Sequence, residues 1–179
     1  NMDIQAQELA HSVAVAAGRE AADVVLTNFK LVDVLGWRIA EDLCLALAGE
    51  IIAWVGPLEE GLIGPETLEV DLKGGFMLPG LIDPHTHLDS MFRTTAFVEA
   101  ALSFGNTTCI TETAMIASVM GADGVRLYME EASNLPMRVF FLAPPLVPPF
   151  PKLETSAGLS DEEFTELMAL PQVVGMGES

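Results

Sequence analysis

The sequence predicts an α/β protein in which a small all-β unit precedes the first half of a (β/α)8 barrel. Short β-rich runs follow one another up to residue 77, whereas strand-like and helix-like segments alternate after residue 78. Such alternation is typical of parallel βαβ units, which form either an open doubly wound sheet or a barrel. The sequence has no G-x-G-x-x-G after a strand. That absence removes the main signal of dinucleotide binding. The preceding β unit and a histidine pair after the first alternating strand favour the barrel.

Residues 1–21 form the first predicted segment, an N-terminal helix. The helical pattern covers residues 4–18, and Gly18 is a plausible end. Its predicted apolar stripe consists of Ile4, Leu9, Val13 and Ala16. His11 lies in this helix and is expected to be a surface or packing residue.

Residues 22–77 form the second predicted segment, a small β domain. Four β-rich runs are expected, at residues 23–32, 42–47, 51–56 and 67–72. A tight turn at Ala48-Gly49-Glu50 predicts a hairpin, and Lys73-Gly74-Gly75 is expected to turn the chain into the next strand. Trp37 and Trp54 are interpreted as core or interface residues.

Residues 78–179 form the third predicted segment, the first half of the barrel. The first strand, residues 78–83, is expected to stop near Asp83 because Pro84 cannot donate to a sheet ladder. Ser160 followed by Glu163 predicts a capping box. Further strands are expected at residues 107–111, 137–142 and 172–178, and helices at 95–104, 123–133 and after Ser160.

Composition excludes some partners and suggests others. The formal charge is −18, from 26 acidic and 8 basic residues, which argues against nucleic acid and anionic membrane surfaces as partners. No apolar run is long enough to span a bilayer. The mean hydropathy is nevertheless +0.40, so we expect further chain or another subunit, as in a homo-oligomer, to cover apolar surface. Cys44 and Cys109 are expected to be free buried thiols in the cytoplasm.

His85 and His87 are the first candidate metal ligands. Alternate residues of an extended segment point to the same side, about 6.5–7 Å apart along the backbone. Two imidazoles at this spacing can converge on one ion at about 2.0–2.1 Å. The pair follows a strand at the end where barrel enzymes place their sites, so a metal site is predicted.

Glu178 is the third candidate ligand and the candidate catalytic residue. It closes the fourth predicted strand of the barrel half, across the mouth from the histidines. A carboxylate supplies the anionic oxygen that two neutral imidazoles lack. The predicted metal ligands are therefore His85, His87 and Glu178.

Several motifs of the sequence resemble those of the amidohydrolase superfamily, and within it those of the adenine deaminases. The superfamily motif is Pro-Gly-Leu-Ile-Asp-Pro-His-Thr-His at residues 79–87. The similarity to the deaminases extends over nearly the whole chain and rests on the runs at residues 18–26, Leu153-Glu154-Thr155-Ser156 and Gly175-Met176-Gly177-Glu178.

The resemblance implies a composite β-sandwich beside a metal-dependent TIM barrel with a binuclear centre of manganese, iron or zinc. His85 and His87 would bind one metal, and Glu178 would bridge two. Activated water would attack C6 of adenine and release ammonia, giving hypoxanthine. The superfamily takes further ligands from later strands, so the rest of the barrel, beyond Ser179, is expected to be required.

Two departures from the deaminase pattern affect this interpretation. The deaminases usually have Asp-Pro-His-Glu after the second barrel strand, where this chain has Glu112-Thr113-Ala114-Met115. Asp89 stands where the deaminases tend to have glutamate. Two alternatives therefore stay open: a cyclic amide or amidine hydrolase of the same superfamily, and a metal-free, non-catalytic relative.

Overall fold

A computed structural model describes residues 2–178, with side chains from residue 6 onward except that of Met91. The chain divides between Pro79 and Gly80 into two compact units. Helices and strands occur in both, so the expected mixed α/β class is confirmed. Among the described residues, no helix combines the length and apolarity needed to cross a bilayer.

The first unit is a five-stranded sheet with one helix. Strand β1 pairs antiparallel with β2 and β3 and parallel with β5, and β3 pairs antiparallel with β4. The hairpin predicted around Gly49 is confirmed, whereas the short strand β2 was not predicted. The elements are α1 (Met2–Ala16), β1 (Val24–Asp33), β2 (Arg38–Ala40), β3 (Cys44–Ala48), β4 (Ile51–Gly56) and β5 (Leu68–Met77).

The turn predicted at Lys73-Gly74-Gly75 is wrong. Lys73 and Gly74 have φ values of 53° and 75°, but they form a bulge inside the continuous strand β5. Asn28 of β1, with φ of 54°, lies opposite, where the β1–β5 register shifts. The Asp71 carboxylate accepts hydrogen bonds from the Asn28 side chain and the Lys73 N–H, each 2.7 Å long. These paired irregularities let the strand continue in the same direction.

The buried face of α1 differs from the predicted stripe. Val15 and Ser12 are buried, whereas Leu9 and Val13 are 59% and 51% exposed. Val15 joins a hydrophobic core with residues of the sheet, among them Val25 and Ala46. Ile4 lies outside the described side chains. Trp37 is 93% exposed and so is not a core residue, which leaves an interface role as the prediction.

His11 links α1 to the following segment through two carboxylates. Its Nδ1 lies 2.7 Å from Glu20 Oε2 and its Nε2 lies 3.4 Å from Asp23 Oδ2. The hydrogen bond with Glu20 raises the pKa of His11 above 6.5, although burial opposes the shift. A raised folded-state pKa stabilises the fold below the unfolded-state pKa, and this contribution is lost as the pH rises through the folded-state value.

We therefore expect the first unit to lose stability as the pH rises from about 6.5, the ordinary pKa of histidine, into the alkaline range. The loss should be less than about 1 kcal/mol for such an exposed pair. Comparing urea midpoints of the native protein and His11→Asn at several pH values tests this. The native protein should lose more stability than the variant over that interval; parallel pH profiles would contradict the prediction.

The second unit contains a four-stranded sheet in the order β6-β7-β8-β9, with every neighbouring pair parallel. The parallel βαβ arrangement predicted from strand–helix alternation is confirmed. The elements are β6 (Leu81–Thr86), α2 (Leu88–Met91), α3 (Thr94–Ser103), β7 (Asn106–Glu112), α4 (Ala114–Ser133), β8 (Arg138–Ala143), α5 (Asp161–Met168) and β9 (Val173–Met176).

The prediction that the first barrel strand stops near Asp83 because of Pro84 is wrong. Strand β6 continues to Thr86. The β6–β7 register is irregular between Asp83 and Thr86, so the ladder does not require an N–H at Pro84. The N–H of His85 donates instead to Asp83 Oδ1 at 3.2 Å. The irregularity therefore brings the first histidine into the strand itself.

The second predicted helix starts too late. Helix α4 begins at Ala114, nine residues before the predicted start at Asp123, and Gly121 interrupts it with φ of 64°. Two short helical stretches joined at a left-handed glycine do not share one apolar stripe, which explains the error. Helix α2, only one turn long, was also missed.

The core of this unit lies between the sheet and its helices. Phe141, Leu167 and Val125 are almost fully buried in one cluster. Both cysteines of the chain, Cys44 in the first unit and Cys109 in this one, are free and buried, as predicted. Burial raises the pKa of the Cys109 thiol to about 11, so it stays protonated at neutral pH.

The predicted capping box at the start of α5 is confirmed. Ser160 Oγ accepts from the N–H of Glu163 at 3.2 Å, and the Glu163 carboxylate accepts from the N–H of Ser160 at 2.8 Å. Replacing Ser160 by alanine should destabilise the protein by about 1 kcal/mol. Ser133→Ala, at an exposed helix C-terminus, is the control and should change urea midpoints little; equal effects would contradict the capping role.

Candidate metal centre

The two predicted histidine ligands face each other at the carboxyl end of β6. His85 lies in the strand and His87 directly precedes α2. Their Nε2 atoms are 3.2 Å apart, with ring planes inclined at 70°. Two imidazole nitrogens aimed at each other at this distance can share either a proton or a cation.

Glu178 joins this pair from the other edge of the sheet. Its Oε1 lies 3.2 Å from Nε2 of His85. One ligand atom from each of the three residues lies within 4.8 Å of the others. The structure therefore brings together all three residues that the sequence singles out.

This contact also reveals the curvature of the sheet. Strands β6 and β9 are the first and last of the four, and three strand spacings separate them, roughly 14 Å in a flat sheet. Glu178 follows β9 by two residues, yet its carboxylate touches His85. The carboxyl ends of the strands must therefore converge on one side.

The geometry and chemistry of the three side chains fit a divalent ion. Ligands on a tetrahedral zinc at 2.0–2.1 Å are about 3.3 Å apart. The Nε2 atom of His85 lies 3.2 Å from both His87 Nε2 and Glu178 Oε1, close to that value. Two neutral imidazoles and one carboxylate form a familiar donor set for such ions. The side chains of His85 and Glu178 are 42% and 70% exposed, so an ion can reach them.

A buried glutamate lies next to these ligands. Glu112 is the last residue of β7 and is only 1% exposed. Its Oε1 accepts the backbone N–H of Glu178 at 2.6 Å. The sequence identified Glu112 only as a replacement for the aspartate of similar deaminases. Its position at the carboxyl end of the neighbouring strand was the signal that could have placed it near the site.

Asp89 and the Glu154-Thr155-Ser156 segment have different surroundings. Asp89 Oδ2 accepts the N–H of Ile116 at 3.0 Å and so caps the first turn of α4. Glu154 and Thr155 are exposed in the loop after β8. Asp89 thus supports the helix that follows Glu112.

Comparison with known proteins identifies the family. The sequence pattern of the amidohydrolase family matches residues 76–173, more than half of the chain. The chain belongs to the amidohydrolase family. The matched region covers the second unit up to the start of β9 and includes His85 and His87.

Among curated amidohydrolases, the chain is similar to several adenine deaminases. It is 39% identical to the adenine deaminase of Ruegeria sp. (strain TM1040), over 93% of this chain. It is 38% identical to adenine deaminase 3 of Rhizobium meliloti (strain 1021), also over 93%, and 35% identical to the enzyme of Staphylothermus marinus, over 90%. The chain spans 28% of the length of each of these relatives.

Two solved structures are similar to this chain in fold. A β-aspartyl dipeptidase from Fervidobacterium islandicum AW-1 has a TM-score of 0.61 and 18% identity, and covers 89% of this chain and 41% of that one. An N-acyl-D-glutamate deacylase from Bordetella bronchiseptica, complexed with zinc and a phosphonate inhibitor, has a TM-score of 0.52 and 22% identity, and covers 69% and 29%. At these identities the likeness concerns the fold alone.

Proposed function

We propose that this chain is part of a metal-dependent hydrolytic deaminase of a purine-like heterocycle, with adenine as the first substrate to test. The observation that supports this most directly is the convergence of His85, His87 and Glu178 on one point. The similarity to adenine deaminases over about nine-tenths of the chain supports the substrate class. The reaction would break the C6–N bond of adenine and form a C6–O bond with water, releasing ammonia.

In this proposal the three side chains hold the metal. His85 and His87 would offer the Nε2 lone pairs of neutral rings, and Glu178 its anionic oxygen. Because a carboxylate has two oxygens, Glu178 could bridge two ions, as expected for a binuclear manganese, iron or zinc centre. When bound, a divalent ion lowers the pKa of a water ligand toward neutrality and so supplies the nucleophile. Glu178, in contact with that centre, is the proposed catalytic residue.

We also propose the domain arrangement expected from the sequence: a helix at 1–21, a composite β-sandwich at 22–77 and the first half of a TIM barrel at 78–179. The parallel order of β6 to β9 and the convergence of their carboxyl ends support the barrel. Closing it requires further strands, which would supply the remaining ligands. A homo-oligomer, a cytoplasmic setting and the absence of nucleic-acid and membrane partners stay predictions.

The direct test is an assay of the complete protein loaded with manganese, iron or zinc. We expect ammonia release from adenine or another aminopurine and at least one equivalent of bound metal. Metal binding without ammonia release from any heterocycle would overturn the deaminase proposal. If the protein neither binds metal nor releases ammonia, the non-catalytic alternative would be favoured.

One observation supports a second candidate, a cyclic amide or amidine hydrolase. After β7 the chain has Glu112-Thr113-Ala114-Met115, without the histidine usual in the similar deaminases. The Glu112 carboxylate is engaged by the backbone of Glu178. A substrate panel that includes hydantoins and lactams separates the two: ring opening without ammonia release from aminopurines would favour this alternative.

A further inference from the structure

Glu112 is an unusual residue for the interior of this unit. Its side chain is 1% exposed, although carboxylates are rarely buried without a partner. Among the described residues, no basic side chain forms an ion pair with it. Its recorded hydrogen bond is the one from the N–H of Glu178, at 2.6 Å.

The backbone that follows β9 is fixed at two successive amides. The N–H of Gly177 donates to the carbonyl of Ala143 in β8 at 2.8 Å, which extends the sheet ladder by one residue. The next N–H, that of Glu178, donates to Glu112 in β7. Glu112 therefore reaches past β8, which lies between its own strand and β9.

Gly177 provides the space for this contact. A Cβ atom built on Gly177 would lie 2.6 Å from the carboxyl carbon of Glu112, closer than real Cβ contacts. Any side chain at position 177 would thus displace the Glu112 carboxylate. The glycine and the buried acid form one arrangement.

We propose that Glu112 is a positioning residue, whose carboxylate fixes the backbone of Glu178 and so directs the Glu178 side chain toward His85 and His87. This proposal rests on the proposed metal-binding role of those three residues. The same bond gives the buried Glu112 carboxylate a charge-assisted partner. Residues of β7, β8 and the segment after β9 all contribute to this arrangement. The Glu178 side chain is therefore directed toward the histidines only when these three strands are in register.

The test compares Glu112→Ala, Glu112→Gln and Gly177→Ala in the complete protein. Zinc affinity is measured by competition with a chromophoric chelator, and ligand geometry by the visible spectrum of the cobalt-loaded protein. Glu112→Ala and Gly177→Ala should each weaken zinc binding by roughly 10- to 100-fold and alter the cobalt spectrum. Glu112→Gln retains an acceptor oxygen and the shape, so its zinc affinity should fall by much less than about tenfold, the lower end of that range.

Thr113→Val is the matched control. Thr113 is the next residue, is fully buried, and donates through Oγ1 to the carbonyl of Leu142 at 2.9 Å. Loss of this hydrogen bond in Thr113→Val should lower the stability of the protein without changing its zinc affinity or its cobalt spectrum. Native-like affinity and spectrum in both Glu112→Ala and Gly177→Ala would overturn the positioning role. Absence of metal from the native protein would instead overturn the proposed function, so the two failures are distinguishable.

If Glu112→Ala does not fold, the remaining pair still decides. Gly177→Ala retains the carboxylate but displaces it, and Glu112→Gln retains the position but not the charge. Weaker zinc binding in Gly177→Ala with near-native binding in Glu112→Gln would support positioning through the hydrogen bond. Equal losses in Glu112→Gln and Thr113→Val would indicate a general structural role and overturn the proposal.

Discussion

Replacing both His85 and His87 by alanine is expected to remove the metal and to lower turnover by at least about 1000-fold. A bound divalent ion contributes several kcal/mol to stabilisation of the transition state, and each 1.36 kcal/mol corresponds to a factor of ten. The two Nε2 atoms face each other 3.2 Å apart. The double variant removes both of these candidate ligands. Elemental analysis measures the metal content, and ammonia release from aminopurines, the proposed reaction, measures the turnover.

The control for this experiment is His11→Ala. His11 is the remaining histidine of the three in the chain and lies in the first unit, bonded to Glu20. It should retain native metal content and activity. Unchanged metal content in the His85/His87 double variant would contradict the assignment of these residues as ligands.

Replacing Phe141 by alanine is expected to reduce stability by about 3–5 kcal/mol. The ring is 2% exposed at the middle of β8 and makes an edge-to-face contact with Tyr128, with centroids 6.2 Å apart. Loss of the ring removes buried apolar area and leaves a cavity between the sheet and α4. The shift in urea midpoint of the complete protein measures the change.

Phe150→Ala is the matched control, because it removes the same side chain from an exposed loop. Phe150 is 60% exposed, so we expect a change within about 0.5 kcal/mol. Similar effects of the two substitutions would contradict the assignment of Phe141 to the core.

Local sequence patterns predicted most elements of the second unit. Strands after residue 78 alternate with helices, and the observed sheet is parallel as that alternation requires. The capping box at Ser160 and Glu163 was predictable because both partners lie within one helical turn. The spacing of His85 and His87 was informative for the same reason.

Two of the errors, at Pro84 and at Lys73-Gly74, occurred where contacts with another strand overrode a local preference. Pro84 should end a strand, but an irregular register with β7 accommodates it. Lys73 and Gly74 should form a turn, but the opposing left-handed Asn28 makes them a bulge. Neither compensation can be inferred from residues near in sequence, because the partner strand supplies it.

The sequence by itself determined the chemical character of the candidate site: two imidazoles at alternate positions and one carboxylate after the fourth strand. It also indicated the family through its motifs, which the comparison confirmed. Only the tertiary structure showed that Glu178 reaches His85 across the sheet and that Glu112 is buried against the Glu178 backbone. Ligand type is a property of single residues, whereas the convergence of His85 and Glu178 depends on sheet curvature. The contact that holds the Glu178 backbone likewise joins residues 66 positions apart.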